Sequence, residues 1–241
     1  MRSSSLRRKR LEKRVRQVTI HEASHAVAFW YLKEGASLIE IARDKARHGG
    51  EVYGHCYEAK DTGKKDRSGL GCRLDDSVGV LAGVAGEFVC GVHGGDPIKE
   101  REVNAYVSTV MFGETTDFQK HFHMMLEMYR LFPEFRRAVG DGDFTEEVLQ
   151  DAMRFLEPHR AGIEAIADAL TVKFWESGGK QGYLFSEDVE KIMGTAPSGM
   201  IGVVEAASRL GIHRKKVPAL PGVVTFSGVC RVPALICTKT A

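Results

Sequence analysis

Cysteine is sparse in this chain: five residues in 241, at 56, 72, 90, 230 and 237, an odd number with no C-x-x-C pair. That excludes a disulfide-stapled scaffold and a multi-cysteine metal knot, and reduced thiols in a cytoplasmic protein are expected. Long apolar runs are missing too. The most apolar stretch, residues 78–92, carries Glu87 and several glycines, whereas a membrane span needs about 20 apolar residues. No membrane partner is expected. The start does not read as a secretory leader, because the apolar part behind its basic run is interrupted by His21, Glu22 and His25. The chain has no G-x-x-x-x-G-K-[ST] phosphate loop and no internal repeat.

Acids are scarce at both ends. Residues 1–16 hold eight Lys/Arg against one Glu, and residues 194–241 hold the single acid Glu205. The formal net charge of +2 hides this asymmetry, since the first 16 residues carry +7 and the rest −5. Basic ends can touch nucleic acid or anionic lipid, but a solvated helix start is the plainer reading of the first. What remains is ordinary for a protein with a buried core: 43% apolar and 27% charged residues.

Residues 11–33 lack Pro and Gly, and Val15, Val18, Ala26, Phe29 and Trp30 recur at helical spacing, which predicts one helix ending near Gly35. Residues 37–42 and 51–58 alternate like strands, joined through 46–50. Residues 60–73 read as an exposed polar loop. Asp75, Asp76 or Ser77 is expected to cap a helix rich in small residues that runs to about Cys90 and ends in the loop 91–97. Weaker helical patterning covers 99–111. Thr115 and Thr116 suggest caps for a helix from Asp117 to about Phe132, stopped by Pro133. Further helices are expected at about 145–156, 158–176 and 186–193.

One run carries chemistry: His21-Glu22-Ala23-Ser24-His25. In H-E-x-x-H on a helix, residues four apart share a face, so two imidazoles converge on one ion. Zinc accepts histidine nitrogen at about 2.0–2.1 Å in a tetrahedral shell. Glu22 points about 100° round the helix, beside the open position, where it can act as general base on a water that zinc acidifies. With nine His and twenty Glu, chance produces this pattern on the order of 0.03 times per chain. Two packing histidines are therefore the weaker explanation.

A catalytic zinc needs a third protein ligand. The metzincin continuation requires a histidine where Tyr31 stands. Glu87, Asp117, His121 and His123 remain as candidates, and residue pattern alone leaves the choice open. The ordinary role of Asp117 is a helix-start charge.

The chain resembles the FtsH-type zinc peptidases. His21-Glu22-Ala23-Ser24-His25-Ala26 is similar to their H-E-A-G-H-A, residues 38–42 and 51–58 to the two strands that follow, and Leu81–Glu87 to L-x-G-R-A-A-E. Gly113–Gln119 is similar to a G-A-x-x-D-L-x stretch whose Asp is the third zinc ligand, and residues 155–160 with 166–170 resemble the terminal helical hairpin. The resemblance runs from about 10 to 193. It implies that His21, His25 and Asp117 bind one zinc per chain and that Glu22 is the catalytic base. It departs at Ser24, where the family has Gly, at Val84 for Arg, at Gly86 for Ala, and at the polar loop 60–73. The family's ATPase module and membrane anchor have no counterpart in these residues. The resemblance therefore implies a metallopeptidase that cleaves unfolded or exposed polypeptide, or borrows a separate ATPase motor.

After Gly194 the character changes, with four of the seven prolines. Glu205-Ala206-Ala207, Gly211 and Arg214-Lys215-Lys216 weakly resemble the helix-turn-helix of excisionase-type DNA binders. A short helix followed by an irregular Pro-rich end is preferred. The expected organisation is a basic arm at 1–9, a zinc peptidase domain at 10–193 and an independent tail at 194–241. The expected fold is mainly α, with a small β-sheet beside the zinc helix. The alternative function is a non-catalytic regulatory protein that keeps the fold and touches DNA through its basic ends.

Overall fold

With no Pro or Gly to interrupt it, the first segment forms one helix, α1 (Arg2–Leu32), closed by Gly35 at φ 104°. The basic arm expected at 1–9 is thus the opening of this helix from Arg2 onward. The computed structural model describes residues 2–33, 35–44, 51–59, 69–92, 116–140, 144–194, 200–220 and 222–233. The expected connection at 46–50, residues 60–68 of the loop expected at 60–73, residues 93–97 of the loop expected at 91–97, the helical pattern at 99–111 and the Thr115 cap lie outside the described residues.

Strands β1 (Ala36–Asp44) and β2 (Glu51–Glu58) pair antiparallel, and β3 (Gln181–Phe185) adds to the other side of β1. The order β2-β1-β3 leaves β2 at an edge among the described residues. β3 has no counterpart in the sequence reading. It is five residues long and its partner lies some 140 positions away, so no local pattern marks it.

Helix α2 (Leu70–Val89) starts six to eight residues earlier than expected, so residues 70–73 of the loop expected at 60–73 are helical, with Gly69 in extended conformation before them. Asp75 and Ser77 do not cap it. They sit buried inside it, Asp75 bonded to Arg231 and Ser77 to His121. The polar residues that looked like a helix start are partners for side chains distant in sequence.

Then follow α3 (Thr116–Leu131), α4 (Pro133–Val139), α5 (Thr145–Leu156), a 3-10 turn (Glu157–His159), α6 (Arg160–Glu176) and α7 (Ser186–Met193). Pro133 starts a short helix rather than only stopping one, as its fixed φ suits a first helical position. One core joins Ile20, Val27 and Trp30 of α1 to Leu81 and Ala85 of α2, Leu149 and Leu156 of α5, Ile166 and Leu170 of α6, and Ile39 and Ile41 of β1. The protein is mainly helical with small antiparallel sheets, and no helix among the described residues is long and apolar enough to cross a membrane.

The tail is ordered differently from expectation. β4 (Met200–Gly202), α8 (Val203–Leu210), a 3-10 turn (Arg214–Ala219), β5 (Val224–Phe226) and β6 (Val229–Pro233) form a small unit with sheet order β4-β6-β5. Gly211 ends α8 at φ 63°, but Pro218 lies inside the 3-10 turn that follows, so no second α-helix forms there. Nor is the tail independent. Arg231 Nε donates to Asp75 Oδ1 (2.9 Å) and Oδ2 (3.1 Å), with both side chains buried. The Ser227 N–H donates to Asp151 (2.6 Å), and the Phe226 ring lies 5.8 Å from that of Phe155.

Candidate metal centre

His21 and His25 project from one face of α1, and Asp117 reaches the same point from the first turn of α3. His21 Nε2 lies 3.2 Å from His25 Nε2 and 3.0 Å from Asp117 Oδ2, and His25 Nε2 lies 3.3 Å from that oxygen. These three residues form a group able to hold a metal ion.

The far ring nitrogens settle what the near ones offer. His25 Nδ1 lies 2.9 Å from the carbonyl oxygen of Gly79, which only accepts, so Nδ1 carries the proton. His21 Nδ1 lies 2.7 Å from Glu87 Oε1 in the same sense, and Gln17 Nε2 holds the other Glu87 oxygen at 2.8 Å. In neutral rings both Nε2 atoms are then lone pairs, facing each other and a carboxylate. Three acceptors turned to one point fit a cation. Ligands at zinc distances about a tetrahedral ion stand about 3.3 Å apart, close to the spacings observed. Gly83 keeps the space open: a Cβ there would stand 2.5 Å from His25 Nε2.

The electrostatics agree. Burial would lower the His21 pKa, but hydrogen bonds to Asp117 and Glu87, with the charges of Glu22 and Glu87, push it up to about 10. Burial would raise that of Asp117, but hydrogen bonds to His21 and His25, and their charges, hold it well below the usual carboxylate range. The site draws positive charge strongly, as a proton or a metal ion.

Glu22 is 7% exposed and packs on the backbone of β2 at Gly54, where a Cβ would overlap its carboxylate. Burial raises its pKa against the opposing pull of His21 and His25, and Asp117 adds to the rise. Such a carboxylate is a stronger base than an exposed one. His21, Glu22, His25 and Asp117 border one cleft of about 440 Å³, whose walls include Phe29, Tyr53 and His55, with Arg14 and Lys120 also lining it.

Of the four candidates for a third ligand, the described structure brings Asp117 to the histidines. Glu87 bonds the outer nitrogen of His21 instead. His121 is buried with Ser77 Oγ at 3.2 Å and the Phe144 ring at 5.8 Å, and His123 is exposed on α3. Sequence reasoning missed Gln17, Gly79 and Gly54. Gln17 alone left a local signal, lying one turn before His21. No protein-family model matches this chain, and no curated protein matches it.

Proposed function

We propose that the protein is a zinc-dependent peptidase with a fold of the FtsH-type peptidase kind. The observation that carries this reading is the convergence of His21, His25 and Asp117 beside the buried base Glu22. His21, His25 and Asp117 would hold the ion, with Glu87 and the Gly79 carbonyl orienting the imidazoles. Zinc bound there would supply Lewis acidity, lowering the pKa of a water to about 7 and polarising a carbonyl. Glu22 takes the proton from the attacking water and returns it to the leaving amine, and its raised pKa suits both transfers.

A polypeptide substrate is favoured by the edge position of β2, which borders the cleft through Tyr53, Gly54, His55 and Cys56. An extended chain can pair with such an edge and hold its scissile bond still. Unfolded or exposed segments can do this unaided, while folded substrates call for a separate ATPase motor. The departures at Ser24 and Gly86 also fit the FtsH-type resemblance, because the Ser24 side chain fills the space that a side chain at position 86 would need. Purified full chain should bind one zinc and hydrolyse an unfolded casein-type substrate, with zinc retained and hydrolysis lost in Glu22→Gln. Hydrolysis that survives in that variant would overturn the proposal.

A further inference from the structure

We infer that the cleft selects polypeptides with acidic side chains near the bond to be cut, held by a line of arginines on α1; this rests on the peptidase reading. At 100° per residue, Arg14, Arg10 and Arg7 fall within about 40° of His21 round the helix, so they continue the metal-binding face outward. All three are exposed, and Arg14 borders the cleft with His21. Lys120 stands on α3 and lines the same cleft, 3.6 Å from Asp117 Oδ1.

Among the described residues, and apart from the buried base Glu22, the acids close to this line are engaged elsewhere. Glu12 lies half a turn round the helix from His21 and pairs with Arg8 at 2.9 Å, in a surface pocket that Arg7 also borders. Asp168 of α6 takes Arg16. Glu87 holds His21 and Gln17, and Asp117 holds the two histidines. Arg14 donates to the neutral Gln17 at 3.0 Å, which leaves its charge uncancelled by that contact.

Arg7 stands fourteen residues from His21, or about 21 Å along the axis. An extended peptide covers that span in about six residues, which sets the reach of the selection. Because exposed charges act over about 8 Å at physiological salt, only a chain lying along the helix feels all three. A membrane-facing helix would present apolar residues between its cations. Here Val15 and Val18 are buried in the core and Leu11 packs against it, so Leu6, 58% exposed, stands as a lone apolar side chain beside the line rather than part of an apolar face.

Fluorescence anisotropy on the zinc-loaded full chain tests this, using two unstructured peptides identical except for four Glu in one and four Gln in the other. The Glu peptide should bind about tenfold more tightly at low salt, with the gap closing as salt rises. The triple variant Arg7→Gln/Arg10→Gln/Arg14→Gln should lose the preference, and the triple Lys variant should keep it. Equal binding of the two peptides overturns the inference. So does a preference that survives the Gln variant, or a DNA duplex or anionic vesicle bound more tightly and not displaced by the Glu peptide. Hydrolysis separates the two claims: cleavage indifferent to acidic residues removes the selection alone, whereas acid-selective binding without cleavage of any peptide removes the peptidase reading alone.

Discussion

Ser24 and Gly86 occupy one packing position between them. Ser24 Oγ donates to the Ile20 carbonyl at 2.7 Å and fills the space that a Cβ on Gly86 would need. The two positions, Ser on α1 and Gly on α2, therefore act as a single exchange at the contact that carries the candidate metal site.

Gly86→Ala should destabilise the protein by about 1–3 kcal/mol, the usual cost of overpacking. Adding Ser24→Gly should return much of that loss despite the poorer helix propensity of glycine, about 1 kcal/mol. Denaturant unfolding of the two single variants and the double closes the cycle; strict additivity would show that the two positions do not share space.

Asp117→Ala should nearly abolish zinc binding, leaving two histidines. Glu87→Ala should keep three ligands and weaken affinity by about 10–100-fold. Titration in metal-buffered solution compares them, and the reverse ranking would exchange their roles.

Glu22→Gln should leave zinc content unchanged while lowering turnover of an unfolded substrate by about 10²–10⁴. The carboxamide is nearly isosteric but accepts no proton. Loss of zinc in this variant would instead assign Glu22 to the ligand shell.

Zinc binding and metal-free stability should respond to pH in opposite ways. Without metal, His21 is raised from 6.5 to about 10, so its contribution is complete below about 6.5 and fades as pH climbs to about 10. Asp117, held low, contributes above its ordinary 3.8 and loses that contribution as acid protonates it. Metal-free Tm should accordingly fall between pH 6.5 and 10 as far as this pair governs it. Zinc must displace the His21 proton, so its apparent affinity should rise about tenfold per pH unit over the same range. A flat affinity profile would show that the histidine is already deprotonated.

Arg231→Ala should cost about 3–5 kcal/mol, because Asp75 would remain buried with its main cationic partner gone. Deleting residues 200–241 should do comparable damage for the same reason. Thermal unfolding that is indifferent to either change would show that the tail stands apart from α2.

What the sequence determined by itself is local. The continuity of α1, the convergence of His21 and His25 and the offset of Glu22 follow from helical geometry within five residues. The helices expected at 145–156, 158–176 and 186–193 follow from patterning and breakers just as short in range, although residues 157–159 form a 3-10 turn. Asp117 lies 96 positions from His21, and from residue types alone it stood level with Glu87, His121 and His123. Only the packing of α2 against α1, and of α3 against α2, put one carboxylate beside the inner ring nitrogens and the other on an outer one. The same holds for β3, which exists only because α6 returns the chain to β1, and for Asp75, which resembles a helix cap until Arg231 arrives from 156 residues away. A short-range pattern reports backbone geometry; which polar groups meet in the interior depends on how the chain closes its long loops, and no window of neighbouring residues contains that information.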